Sequence, residues 1–216
     1  MRRSGVRSSS TPPIRCYQNP EKGWKARRCF AFQLFLFFPP VRRSLSPARQ
    51  KWGAISPLLF FVRAGELRKA KWKDFDLDKG EWSYLVTKTK TDHLVPLASQ
   101  AVTILRELHA LTGHLEHVFS GRDPQKSMSG AAINAALRRM GYDTKTEITG
   151  HGFRAMARTI LHQEIGIPPE VIEHQLAHRV PDSIGTAYNR TKFIKERRKM
   201  MQQWANYLDK LKAGPK

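Results

Sequence analysis

His151 and Arg154 stand three positions apart at the head of an apolar-periodic stretch, a spacing that puts both on one face at the start of a helix. Helix starts favour anions, because the first N–H groups lack partners and the peptide dipoles add up there. A histidine and an arginine at that point make a phosphate site chemically reasonable. A capping histidine beside a solvated arginine is the commoner arrangement, and spacing alone leaves that reading ahead. Tyr188 lies in the polar run Thr186-Ala187-Tyr188-Asn189-Arg190. A tyrosine so placed is either a core anchor with its hydroxyl outward or a covalent nucleophile whose phenolate is offset by nearby cations. Its spacing does not decide between them. His174 and His178 are four apart on a predicted helix and within reach of a shared metal, but Gln175-Leu176-Ala177 between them brings no glutamate and no third ligand is evident. The sequence has no Gly-rich phosphate-cradling loop and no cluster of metal-binding carboxylates, which counts against nucleotide hydrolysis and metal-dependent nuclease chemistry.

These residues need a scaffold, and the apolar periodicity predicts one. A helix is expected over Leu58–Lys71, with Leu58, Leu59, Val62, Leu67 and Ala70 inward. Extended pieces follow around Trp72–Leu77, Trp82–Val86 and His93–Leu97, with turns at Asp78-Lys79-Gly80 and at Lys88–Asp92. After Pro96 the period becomes helical. Val102, Leu105, Leu108 and Leu111 mark one helix that Gly113 ends, and Ser129–Met140 marks another with Ser129 as its N-cap. Phe153, Met156, Ala157, Ile160 and Leu161 form the core face of a third, and Pro168-Pro169 open a fourth with Val171, Ile172 and Leu176 buried. A long last helix, Ile194–Leu211, carries the stripe Met200, Met201, Trp204, Tyr207, Leu208 and Leu211. The fold class is therefore α+β, mostly helical, with a small three-stranded antiparallel sheet.

The 216 residues carry 38 Lys and Arg against 18 Asp and Glu, a formal charge of +20 that points to a polyanionic partner, nucleic acid first. The excess is uneven. Residues 1–52 hold 12 basic side chains against the single acid Glu21, and their Ser, Pro and Phe clusters show neither helical nor strand period. They are expected to be disordered, with the Phe30–Phe38 patch loosely docked or exposed, and residues 53–216 to form the folded domain. Cys16 and Cys29 have no metal-ligand spacing and fit a reducing, cytoplasmic compartment. No apolar run reaches the roughly 20 residues of a membrane span. No membrane partner is expected.

Five segments, in order, resemble the catalytic domain of tyrosine recombinases, in particular prophage-type integrases. They are Val62-Arg63-Ala64-Gly65-Glu66-Leu67-Arg68, Thr87-Lys88-Thr89-Lys90 ahead of Leu94-Val95-Pro96-Leu97, Thr149-Gly150-His151-Gly152-Phe153-Arg154, Gln175-Leu176-Ala177-His178 and Ala187-Tyr188-Asn189-Arg190. Each is weak alone. Five in register from about residue 57 to the C-terminus are not. The resemblance implies Arg63 and Arg154 as phosphate-binding arginines, Lys88 as the acid for the leaving 5′-oxygen, His151 as an assistant in proton transfer and His178 as a hydrogen-bond donor to phosphate. Tyr188 would be the nucleophile and Glu66 a supporting acid beside Arg63. It also implies double-stranded DNA with attachment sites as substrate, self-association on that DNA, and a 3′-phosphotyrosyl intermediate needing no metal, ATP or other cofactor. Type IB topoisomerases share this chemistry, and a DNA-binding remnant without chemistry is a further alternative. Ala64 stands where the family often has proline, and residues 1–52 resemble no core-binding domain, so a truncated or frame-shifted N-terminus is expected. The stripe of the last helix either completes this domain's own core or docks on a neighbouring subunit; the resemblance favours docking, as family members often exchange C-terminal segments.

Overall fold

A computed structural model describes residues 59–121, 123–139, 141–146, 149–178 and 193–213. Segment 1–52, with its Phe patch, and Tyr188 lie outside the described residues. The elements run α1 (Ala64–Arg68), a 3-10 turn (Trp72–Asp74), β1 (Phe75–Asp76), β2 (Glu81–Val86), β3 (Thr91–Pro96), α2 (Ser99–Thr112), α3 (Ala132–Arg139), α4 (Gly152–Gln163), α5 (Pro169–Gln175) and α6 (Ile194–Ala213). The sheet is antiparallel in the order β1-β2-β3, with Trp82 opposite Val95 and Tyr84 opposite His93. The α+β class and its three-stranded sheet are as the sequence predicts.

The first helix departs from expectation. It does not run through Leu58–Lys71. Phe61 takes a left-handed conformation at φ 57°, Arg63 is extended at φ −64° and ψ 142°, and helix resumes only at Ala64. Burial explains why an aromatic tolerates this. Phe60 and Phe61 are both fully buried, Phe60 edge-on to Trp82 at 6.1 Å and Phe61 against Trp204 at 5.2 Å. The break seats the two rings against different partners, one on the sheet and one on the last helix.

Other boundaries shift by smaller steps. The first strand shrinks to two residues because Trp72–Asp74 winds into a 3-10 turn. Thr112 rather than Leu111 faces inward at the end of α2: Thr112 is fully buried and its hydroxyl donates to the Leu108 carbonyl, while Leu111 is exposed. Ser129 is a turn residue whose carbonyl accepts from Ala132 N–H, so α3 starts three residues later than predicted.

The C-terminal helix α6 begins at Ile194 as predicted, and most of its stripe turns into this chain's own core. Met200, Met201, Trp204 and Leu208 are buried in the domain's own core. Burial of such side chains stabilises by roughly 1.5–3 kcal/mol each. Polar tethers agree: Arg198 binds Glu81 and the Lys79 carbonyl, Gln202 Oε1 accepts the first N–H of α2 at Ser99, and the Tyr207 hydroxyl donates to Glu164. The docking expectation is therefore corrected: this stripe completes the fold.

Candidate active site

The site forms where the helix break, the end of α5 and the start of α4 meet. At the end of α5 the chain makes a Schellman turn: Ala177 N–H donates to His174 C=O and His178 N–H to Glu173 C=O, both at 3.1 Å. Ala177 occupies the left-handed position at φ 51°, where glycine is usual, at a strain on the order of 1 kcal/mol. The turn directs two successive carbonyls at two guanidiniums. Leu176 C=O accepts from Arg154 Nη2 at 2.7 Å, and Ala177 C=O accepts from Arg63 Nη2 at 3.2 Å. The second nitrogen of Arg154, Nη1, donates to Phe61 C=O, which the left-handed kink presents. The break that the hydrophobic pattern does not anticipate thus builds the arginine pair.

Both guanidiniums are held by neutral groups. Arg154 is only 5% exposed, and its remaining contact is Nη2 to His178 Nε2 at 3.1 Å. Arg63 Nη1 is buried without a hydrogen-bond partner among the described residues. Burial, and then the nearby charge of Arg63, lower the Arg154 pKa to about 10, which leaves it cationic at neutral pH. Two cations close together, neither hydrogen-bonded to a carboxylate among the described residues, form a site that an anion would complete.

The one-turn helical pairing that the His174–His178 spacing allows does not form. His174 is buried on α5 with its ring 5.3 Å from that of Phe193, whereas His178 lies beyond the helix end, redirected by Ala177. His151 is the N-cap of α4 with its side chain exposed, and it makes no side-chain capping bond; Thr149 supplies one instead, its hydroxyl accepting from Gly152 N–H at 3.2 Å. The capping role considered for His151 is therefore absent. Arg154 sits three residues on, in the first turn, and is buried rather than solvated.

Lys88 is exposed on the Thr87–Lys90 turn between β2 and β3. Its neighbour Thr87 is tied to α1, because the buried Glu66 carboxylate accepts the Thr87 N–H at 3.0 Å and its hydroxyl at 2.9 Å. Glu66 thereby links the helix that follows Arg63 to the hairpin tip that carries Lys88.

The sequence reading missed a polar network beneath this surface. Arg197, fully buried on α6, donates Nε to Gln175 Oε1 at 2.9 Å and Nη2 to the Leu94 carbonyl. His93 Nε2 is 3.2 Å from the Gln175 carbonyl. Burial lowers the Arg197 pKa to about 10. Burial, and then Arg197, lower that of His93 to about 3, so the imidazole is neutral. Tyr84 lies beside His93 on the next strand; burial, then the Glu66 charge, push its phenol above the ordinary range. Tyr84, His93, Leu94 and Gln175 all fall in stretches of sequence named above, but residue type and spacing gave none of them a role in such a network. Arg197 sits in a basic run with Lys195, Arg198 and Lys199, so residue type carried no signal that it alone is buried.

Comparison with known proteins places this arrangement. Residues 59–194 match the phage integrase family. The chain is 45% identical over 168 residues to the integrase of Enterobacteria phage P4, covering 70% of this chain and 38% of that protein. It is 37% identical over 160 residues to prophage integrase IntA of Escherichia coli (strain K12), covering 73% and 38% respectively. The chain thus spans about two fifths of the length of those curated relatives. Among solved structures, the integrase from mycobacterium phage Brujita aligns with a TM-score of 0.58 at 18% identity, covering 81% of this chain and 56% of that one. A lambda integrase dimer bound to a COC′ core site aligns with a TM-score of 0.51 at 17% identity, covering 80% and 57%. These two likenesses concern the fold.

Proposed function

Because the chain belongs to the phage integrase family, we propose that it carries the catalytic part of a site-specific DNA recombinase that breaks and rejoins strands through a phosphotyrosyl link. The observation that carries this reading is the pair of half-buried Arg63 and buried Arg154, held by consecutive carbonyls with one Arg63 nitrogen left unpartnered among the described residues. Planar guanidinium forks suit the non-bridging oxygens of a phosphodiester, where charge builds as the phosphorus is attacked. His178, in contact with Arg154, would share that load, and the Glu66–Thr87 bonds tie the turn that carries Lys88 to the helix following Arg63.

In the reaction proposed, the Tyr188 oxygen attacks phosphorus and the 5′-oxygen leaves with a proton from Lys88. His151 assists the transfer from tyrosine, and a second 5′-hydroxyl reverses the step. These residues need no metal or nucleotide for it. The substrate is double-stranded DNA bearing attachment sites, bound by copies of the chain that associate on it. The compartment is the cytoplasm, and no helix among the described residues is long and apolar enough to cross a membrane. Residues 53–216 form the catalytic domain, and 1–52 are a basic segment ahead of it.

The test is covalent capture. The full chain, incubated with a nicked duplex carrying a candidate attachment site, is expected to give a protein–DNA adduct that survives denaturation, with peptide mapping on Tyr188. An adduct on another residue would overturn the assignment. So would its absence both from this chain and from a fusion to an intact core-binding domain.

Glu66→Ala is expected to lower stability by about 1–2 kcal/mol, through two lost charge-assisted hydrogen bonds. Single-turnover cleavage should fall roughly tenfold as the Lys88 turn loses its anchor. Duplex affinity should hold within a factor of about three, since no phosphate contact is removed. Cleavage equal to the parent's would show that the Glu66–Thr87 bonds do not position Lys88.

A further inference from the structure

His178 stands between two groups whose hydrogen-bonding roles are fixed. A guanidinium has no acceptor, so His178 Nε2, 3.1 Å from Arg154 Nη2, must offer its lone pair. Its Nδ1 contacts Glu173 Oε2, and an ionised carboxylate has no proton to give, so Nδ1 carries the hydrogen. Glu173 is held in that ionised form. Burial alone pushes its carboxyl up, but hydrogen bonds from Arg158 and His178, with the Arg158 charge, bring it below the ordinary value. Arg158 Nε donates to the other oxygen, Oε1, so the carboxylate is gripped from both sides. The backbone adds a third hold, since Glu173 C=O accepts the His178 N–H at 3.1 Å. Glu173 therefore governs residue 178 through side chain and main chain together.

We propose that Glu173 is a positioning residue that locks His178 in its Nδ1–H tautomer, so that Nε2 is the nitrogen presented to the phosphate. The role in catalysis rests on the recombinase reading above; the tautomer does not. Without DNA, the lone pair on Nε2 is taken by Arg154. When the guanidinium turns to a phosphate oxygen, that lone pair is released. To donate from Nε2 the ring must then accept one proton there from solvent, imidazole becoming imidazolium while Nδ1–H stays on Glu173. Among the described residues, the charged groups facing the ring are Glu173 from α5 and Arg154 and Arg158 from α4, with Arg63 bonded one residue away at the Ala177 carbonyl. Among these, Glu173 is the only anion. It thus sets both the orientation of the ring and the charge balance that a protonated ring requires.

The experiment is long-range proton–nitrogen NMR of the histidine rings in the full chain without DNA, the His178 signals being identified by their loss in His178→Gln. A neutral ring protonated on Nδ1 is expected, with Glu173→Gln giving mixed tautomers. An Nε2–H ring in the parent overturns the proposal, as does an unchanged spectrum in Glu173→Gln. In single-turnover cleavage of a nicked duplex, Glu173→Gln should be slower by roughly tenfold at unchanged duplex affinity, and Glu173→Asp should recover part of the rate. Equal rates in parent and Glu173→Gln overturn the catalytic role. An Nδ1–H ring in a chain that cleaves no duplex sustains the positioning role and tells instead against the recombinase reading.

Discussion

Arg154→Lys is expected to reduce single-turnover strand cleavage by roughly 10²–10³-fold, the usual cost of removing one pre-aimed donor from a site where negative charge develops. The substitution keeps the charge and removes the fork. Arg154 is held at three points: the Phe61 carbonyl, the Leu176 carbonyl and His178 Nε2. An ammonium on a flexible stem cannot reach all three and also meet a phosphate oxygen in a fixed plane. A carbonyl left unpaired in this buried place should also lower stability by about 1–3 kcal/mol. Because long-range attraction to DNA depends on total charge, which is unchanged, affinity for the duplex should stay near the parent's. Cleavage measured well below the variant's melting temperature separates the two effects. A rate within a factor of about three of the parent's would mean that charge alone, rather than the held guanidinium, does the work.

That prediction draws on geometry only partly legible in the sequence. The His151–Arg154 spacing correctly put both residues at a helix start, and the apolar stripe of α4 was right at all five named positions. Periodicity succeeds there because one face meets the core and the other meets water. It failed at Phe60-Phe61, where both side chains are buried and the backbone takes a left-handed turn at Phe61 that an apolar pattern does not encode. The carbonyls that hold Arg63 and Arg154 come from that break and from the turn after α5. Carbonyl direction follows backbone dihedrals, which residue type only weakly constrains at Ala177 and Phe61. Likewise, His174 and His178 look like a one-turn pair until the Schellman turn separates them. The resemblance named Arg63, Glu66 and His178 on motif alone, and the contacts now give Glu66 a physical task, the anchoring of Thr87. Glu173 and Arg197 were passed over because a charged residue in an amphipathic helix ordinarily belongs to the solvated face.

Arg197 leads to the second large effect, a loss of stability in acid that traces to His93. In the folded chain the pKa of His93 is lowered from 6.5 to about 3, chiefly by burial and then by the Arg197 charge. An unfolded chain binds a proton on this ring as soon as pH drops below about 6.5, while the native state does not. Stability attributable to the neutral ring is thus fully present above that pH and drains away as pH falls towards about 3, by roughly 1 kcal/mol per pH unit. His93→Gln keeps a side-chain donor for the Gln175 carbonyl and removes the titration. Denaturant unfolding of both proteins at pH 7.5, 5.5 and 4.5 should therefore show a shallower loss in the variant, with the difference growing to about 2 kcal/mol at the lowest pH. Parallel losses would mean that His93 titrates normally in the fold. The consequence for the site follows from the bonds involved. Gln175 ends α5, two residues before Ala177, and Arg197 stands near the start of α6, so the network ties together the two elements that flank residues 179–192, among them Tyr188. Protonating His93 beside Arg197 would set two buried cations against each other at that tie. Acid should then loosen the carbonyl grip on both arginines before the sheet and α2 give way, and cleavage should be lost at a higher pH than the global fold.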